Sequence, residues 1–426
     1  MQFVRTPTFG IQPISSTLPF ALAVACFAAA CGSSGGKKTE SNPDCQPGTA
    51  SALNASCTPD FTSTTPNTPG SIEVTFSGET LGVNGLPFQP VTQGDPVFVD
   101  GWTVTFDEIL VVVGDFKLAP GATQSPSWST VETAVATSPG PYVLDVHKPV
   151  GFVGKDGEEP AGAIFKWDSQ DDGSAFDTSV RYSFSYSTET ASYPATQVNL
   201  TAAQFADYDL MVQKGWSKLY RGTATYVGTG TYPDATAQAK FAAFPSVIHF
   251  AFGWNDGTQN LNCINPDFGD ETDLANRGVQ TTTSGAVIAQ VTLHVDHAFW
   301  DLLKQEGAPL RFDPIAAWAP QGTSAASPFW INTLATTPLA ATFSDGTPLP
   351  DRAPDQPQLS GTPFTSDQSN PAQVTLNLNG VPANNIGGLA DFMAFSAQSQ
   401  MHLNANGLCY IVGQNASDPY YTPAVQ

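Results

Sequence analysis

Glycine and proline interrupt this chain too often for long helices: 37 glycines and 35 prolines fall among short apolar runs, and long segments of helical period are scarce. The runs between them have strand length and are rich in β-branched and aromatic residues, as at 71–76, 102–106, 109–113, 182–186, 247–252, 286–295 and 374–378. The expected fold class is therefore mainly β, an antiparallel β-sandwich body with a few short helices. Two helices are predicted, one over 202–214 capped by Thr201 and one over 297–305 capped by Asp296. The body, 70–426, exceeds the usual size of one core, so one elaborated sandwich and two packed β-units dividing near 235 both stay open.

Ahead of the body the composition changes. Residues 18–30 form an apolar segment of signal-peptide length, too short for a stop-transfer helix. Ala28, Ala29 and Ala30 precede Cys31 and a Gly/Ser run, a pattern similar to a bacterial lipoprotein cleavage site in which Cys31 is acylated and becomes the mature N-terminus. Cys26 is the competing position, and an ordinary secreted protein is the plainer alternative. The expectation is a signal peptide over 1–30 and a flexible Ser/Thr/Pro/Gly tether over 31–69, which cannot bury enough surface to offset its chain entropy. No aspartate follows Cys31, and the likeness to Gram-negative lipoproteins implies an outer-membrane anchor, on the periplasmic side or at the cell surface.

An exported chain meets an oxidising compartment, where its cysteines pair. Of the three pairings open to the four remaining cysteines, the favoured one joins Cys45 to Cys57 within the tether and Cys263 to Cys409 across the body. The formal net charge is −22, with no Lys/Arg cluster to neutralise a phosphate backbone, so nucleic acid is excluded as a partner.

Transition-metal ligands are concentrated in one place. Two of the five histidines, His294 and His297, stand three apart. Strand alternation over 286–295 puts Val287, Ala289, Val291 and Leu293 on one face and directs His294 and Asp296 to the other. His297 falls at the strand-to-helix corner, where the chain can turn its ring back toward His294. With His249 from another strand, these residues supply a four-ligand set suited to Zn²⁺ or Cu²⁺. His402, beside Met401, is a weaker candidate whose methionine would favour Cu⁺, and His147 has the least support. A structural alternative makes Asp296 an N-cap and packs His297 on Trp300. The acidic loops around Asp267, Asp270, Glu271 and Asp273 and around Asp168, Asp171 and Asp172 offer oxygens for calcium. Neither follows the helix-loop-helix spacing, and calcium is less favoured than Zn²⁺ or Cu²⁺.

Three segments in this order, 99–115 with its Asp100-Gly101-Trp102, 142–146, and 294–301 followed by Leu310-Arg311-Phe312-Asp313-Pro314, resemble a family of uncharacterised lipoproteins of myxobacteria and their relatives. The resemblance covers about 95–320 and implies an exported β-rich lipoprotein, with no activity to carry over. No nucleophile elbow, zinc-protease helix or phosphate loop occurs. The expected function is that of a lipid-anchored, non-enzymatic binding protein for a transition metal. A surface glycan- or protein-interaction module built on a flat aromatic strip is the alternative.

Overall fold

The computed structural model describes residues 69–413, apart from 89–95, 123–127, 130–131, 150, 154–159, 229–231, 233, 306, 353–372 and 382–385. The expected signal peptide, Cys31, Cys45 and Cys57 lie outside the described residues. The strands are β1 (Ile72–Ser77), β2 (Trp102–Pro120), β3 (Ala136–Ser138), β4 (Tyr142–Asp145), β5 (Gly151–Val153), β6 (Pro160–Trp167), β7 (Tyr182–Thr188) and β8 (Thr196–Gln197). They continue with β9 (Lys218–Tyr226), β10 (Val247–Trp254), β11 (Gln259–Leu261), β12 (Val287–Leu293), β13 (Phe329–Trp330), β14 (Met401–Leu403) and β15 (Tyr410–Val412). Short helices α1 (Glu79–Asn84), α2 (Phe205–Lys214), α3 (Ala235–Phe241), α4 (Asp313–Ala316) and α5 (Leu389–Ser396) lie between them.

The protein is mainly β, as its punctuation predicts. A five-stranded sheet runs β14-β12-β1-β6-β5, and a ten-stranded sheet follows the path β13-β10-β9-β2-β7-β11-β15, with β3, β4 and β8 attached beside β2. Both sheets are mixed rather than wholly antiparallel: β1 pairs β12 in parallel, as do β10 with β13 and β4 with β8. The two sheets share one core, in which Ile72, Val74, Phe76, Ala289, Val291 and Leu293 from the first meet residues such as Val111, Phe116, Tyr220 and Phe250 from the second. The possible division near 235 does not appear, because β9 and β10 pair along their length across that position.

The long β2 explains the unbroken apolar run 109–113. Ile109, Val111 and Val113 face the shared core, while Leu110 and Val112 face a smaller cluster under α2 with Tyr208 and Met211. A strand covered on both faces reads as continuous hydrophobicity instead of alternation. At α2, Gln204 Oε1 accepts from both the backbone N–H and the hydroxyl of Thr201, at 2.8 and 2.9 Å, and a 3-10 turn, Ala202–Gln204, precedes the α-helix. The other expected helix is only a 3-10 turn, Val295–Phe299. Residues 374–378 make isolated bridges instead of a strand.

The segments 98–102, 299–301 and 310–313 interlock. Leu310 bridges both Phe98 and Trp300, and Arg311 N–H donates to the Phe299 carbonyl. Beneath them is a buried ion network. Arg311 donates to Asp301 at 2.9 Å and to both oxygens of Asp351, Arg352 and the Trp102 indole both donate to Asp313, and Asp100 accepts from the backbone N–H groups of Phe312 and Asp313. Cys263 and Cys409 form a disulfide across 146 residues of sequence, joining the ends of the ten-stranded sheet's β11 and β15 region. No helix among the described residues is long and apolar enough to cross a membrane.

Candidate metal centre

The edge of the five-stranded sheet brings three imidazoles together. In β12, Ala289, Val291 and Leu293 enter the core, so Gln290, Thr292 and then His294 stand on the opposite face. The chain leaves the extended conformation at Val295, and the 3-10 turn swings His297 back toward His294. The short β14 pairs antiparallel with β12, setting His402 directly across from Thr292 and beside His294. One nitrogen from each of His294, His297 and His402 lies within 4.8 Å of the others. The ring centroids of His294 and His402 are 4.1 Å apart, and those of His294 and His297 are 5.4 Å apart.

In each imidazole one ring nitrogen faces a protein acceptor, which sets its tautomer. His294 Nε2 lies 3.1 Å from Glu79 Oε1 and 3.3 Å from the Ala405 carbonyl, both acceptors, so it carries the proton and Nδ1 keeps the lone pair. His402 Nε2 donates to the Ser399 carbonyl at 3.0 Å, again leaving Nδ1 with the lone pair. His297 Nδ1 meets Ser399 Oγ at 2.8 Å, and that hydroxyl donates onward to the Ser396 carbonyl. The hydroxyl must therefore accept from His297, whose lone pair is then on Nε2. A carboxylate, carbonyl or hydroxyl behind each ring is the arrangement that orients imidazole ligands.

The electrostatics keep the rings ready for a cation. Burial pushes His297 down to about 3, against which the neighbouring Asp296 carboxylate acts only in part, so the ring is neutral at any ordinary pH. Burial alone would raise Glu79, yet the charge and hydrogen bond of His294 hold its carboxyl below the usual range. Glu79 also has a φ of 56°, a left-handed conformation that costs a side-chain-bearing residue energy and persists only where the surroundings impose it. The turn that carries Ser399 is anchored from the other sheet. Buried Lys218, ion-paired to Asp256, donates to the Ala397 carbonyl and to Gln400 Oε1, and Tyr186 donates to the His402 carbonyl at 3.0 Å.

Two expected ligands are elsewhere. His249 belongs to β10 of the ten-stranded sheet, where its Nδ1 meets Thr223 Oγ1 at 3.0 Å. Asp296 follows the 3-10 turn out of the strand's alternation, and its carboxylate accepts the Trp300 indole N–H at 3.0 Å. His297 does stack on Trp300, at 3.7 Å between centroids. Met401 faces the core, on the opposite side of β14 from His402, so no methionine–histidine pair forms. His147 meets the Gly82 carbonyl through Nδ1. In the acidic loops Asp172, Asp270 and Asp273 bond the backbone N–H two residues on, Asp171 bonds Thr137 and Asp168 pairs with Lys166. Among the described residues the three histidines are the one group of three or more His, Cys, Asp or Glu with a metal-ligating arrangement.

Glu79 and Ser399 escaped the sequence analysis because nothing in their local sequence marks them. His402 was visible only as a histidine in a short apolar run; its pairing with β12 joins positions more than a hundred residues apart. Comparison with protein-family models, with curated proteins and with solved structures finds no match to this chain.

Proposed function

We propose that this protein binds a single transition-metal ion, Zn²⁺ or Cu²⁺, through His294, His297 and His402, as a non-enzymatic binding protein held at the cell envelope by an acylated Cys31. The observation that carries the reading is the convergence of three imidazole nitrogens within 4.8 Å, with a protein acceptor behind each ring. Nitrogens around a tetrahedral ion at about 2.0–2.1 Å stand about 3.4 Å apart, so loading requires the rings to close from within 4.8 Å, by at most about 1.4 Å. An all-nitrogen set without thiolate suits Zn²⁺ and Cu²⁺ better than soft or hard ions. The fourth position falls to a water entering beside His294, the most exposed of the three rings. The glycan-module alternative lacks comparable support: among the described residues the only exposed large hydrophobics are Val227 and Val247, with no exposed aromatic strip.

Metal analysis of dialysed protein tests this reading. One Zn²⁺ or Cu²⁺ per chain is expected, with a melting temperature that rises with metal concentration because only the folded chain assembles the site. His297→Ala and His402→Ala should each abolish the rise, while His249→Ala keeps it. Wild-type protein that takes up neither ion, or uptake that depends on His249 and ignores His402, would overturn the proposal.

A further inference from the structure

His249, unused by the metal centre, lines a second site. In β2, Val104 and Phe106 face the core, and strict alternation would send Glu108 there as well. A bulge between Phe106 and Glu108 adds Asp107 to the strand and reverses the phase. Ile109 takes the core position, and Glu108 is turned onto the other face, against α2. There it forms a cleft of ≈ 210 Å³ with Asp207 of α2, Arg221 of β9, His249 and Phe250 of β10, and Pro328. Gly222 lines it without a side chain, and has room for none: a Cβ would stand 2.4 Å from the Thr105 carbonyl oxygen.

The polar groups in this cleft are incompletely matched. Arg221 donates to Asp207 and stands 3.2 Å from Glu108 Oε1 through Nε, but that approach lacks hydrogen-bond alignment, and both atoms are buried without a hydrogen-bond partner. Leaving the buried Glu108 oxygen without a donor costs free energy that a ligand N–H could recover. The charge balance says which ligand. Even with Glu108 protonated, Asp107 and Asp207 outnumber the single guanidinium of Arg221, and Asp145 adds further negative potential behind Glu108. Burial and the hydrogen bond with Asp207 push Glu108 up to about 8, so at neutral pH it holds a proton that an arriving cation can displace. Convergent polar groups in a partly apolar cleft are the usual form of a small-molecule site.

We propose that this cleft binds a small organic cation, an alkylammonium group whose N–H donors meet Glu108 and Asp207 while its carbon chain lies on Phe250 and Pro328. A divalent ion fits less well, because Ca²⁺ needs six to eight oxygen ligands and Arg221 already takes one oxygen of Asp207. The site is independent of the histidine centre and does not rest on metal binding there.

Calorimetric titration of the purified protein with n-butylammonium, n-butanol and Ca²⁺ tests the proposal. Saturable butylammonium binding is expected, roughly tenfold or more tighter than butanol, since the discriminating contacts are charged hydrogen bonds. Glu108→Gln should weaken it by a similar factor, and Ala325→Trp, at the exposed lip of the cleft, should block it. If Glu108→Gln does not fold, Ala325→Trp decides alone. Equal binding of butanol, absence of butylammonium binding across the millimolar range, displacement by stoichiometric Ca²⁺, or wild-type affinity in Ala325→Trp would each overturn the assignment.

Discussion

Glu73 stands in the middle of the sheet that carries two of the imidazoles, 1% exposed, with neither carboxyl oxygen accepting a hydrogen bond. Burial raises its pKa from 4.5 to about 7, with Lys166 opposing only in part. Because the folded value lies above the unfolded one, the native state holds the proton more tightly, and stability is lost as pH rises from 4.5 to 7. Glu73→Gln should remove that loss and be more stable than wild type at pH 8 by about 2 kcal/mol, measured by urea denaturation at successive pH values. His297 acts in the opposite sense. Its folded value of about 3 lies below the ordinary 6.5, so the unfolded chain takes up the proton first and metal-free protein loses stability as pH falls from 6.5 toward 3. The slope approaches about 1.4 kcal/mol per pH unit within that window, and His297→Gln should flatten it in the same denaturation series.

Among the elements, the interlocked segments 98–102, 299–301 and 310–313 are held by charges that cannot be removed singly. Arg311 is enclosed by Asp301 and Asp351, and its loss would leave those carboxylates buried and uncompensated. Arg311→Met should therefore cost about 3–5 kcal/mol in chemical denaturation, unlike exposed ion pairs such as Lys117 with Asp115. The residues that carried the family resemblance, Asp100, Trp102, Arg311 and Asp313, thus have a structural role in this network, whatever the protein binds. Replacing Cys263 and Cys409 by alanine should lower stability by about 2–5 kcal/mol, because the cross-link closes a long loop in the unfolded chain.

For the whole molecule, the anchor remains the proposal with the clearest biochemical readout. Cys31→Ser should abolish incorporation of labelled fatty acid and partition into detergent, and Cys26→Ser should leave both intact; lipid found on Cys26 would reassign the site. What the sequence by itself determined was local. Glycine, proline and β-branched residues set the strands, alternation in β12 directed His294 away from the core, and Thr201 with Gln204 set the start of the helical segment. These follow from neighbours along the chain, whose geometry two-residue and 3.6-residue periods describe. Tertiary structure decided the rest. Parallel pairing of β1 with β12 and antiparallel pairing of β14 with β12 join distant segments, and those pairings bring His402 to His294 while leaving His249 in the other sheet. The bulge that turns Glu108 into its cleft and the left-handed Glu79 beside His294 likewise have no periodic signature. A three-histidine cluster of this kind depends on contacts between residues far apart in the chain, and local propensity cannot specify which distant side chain will arrive.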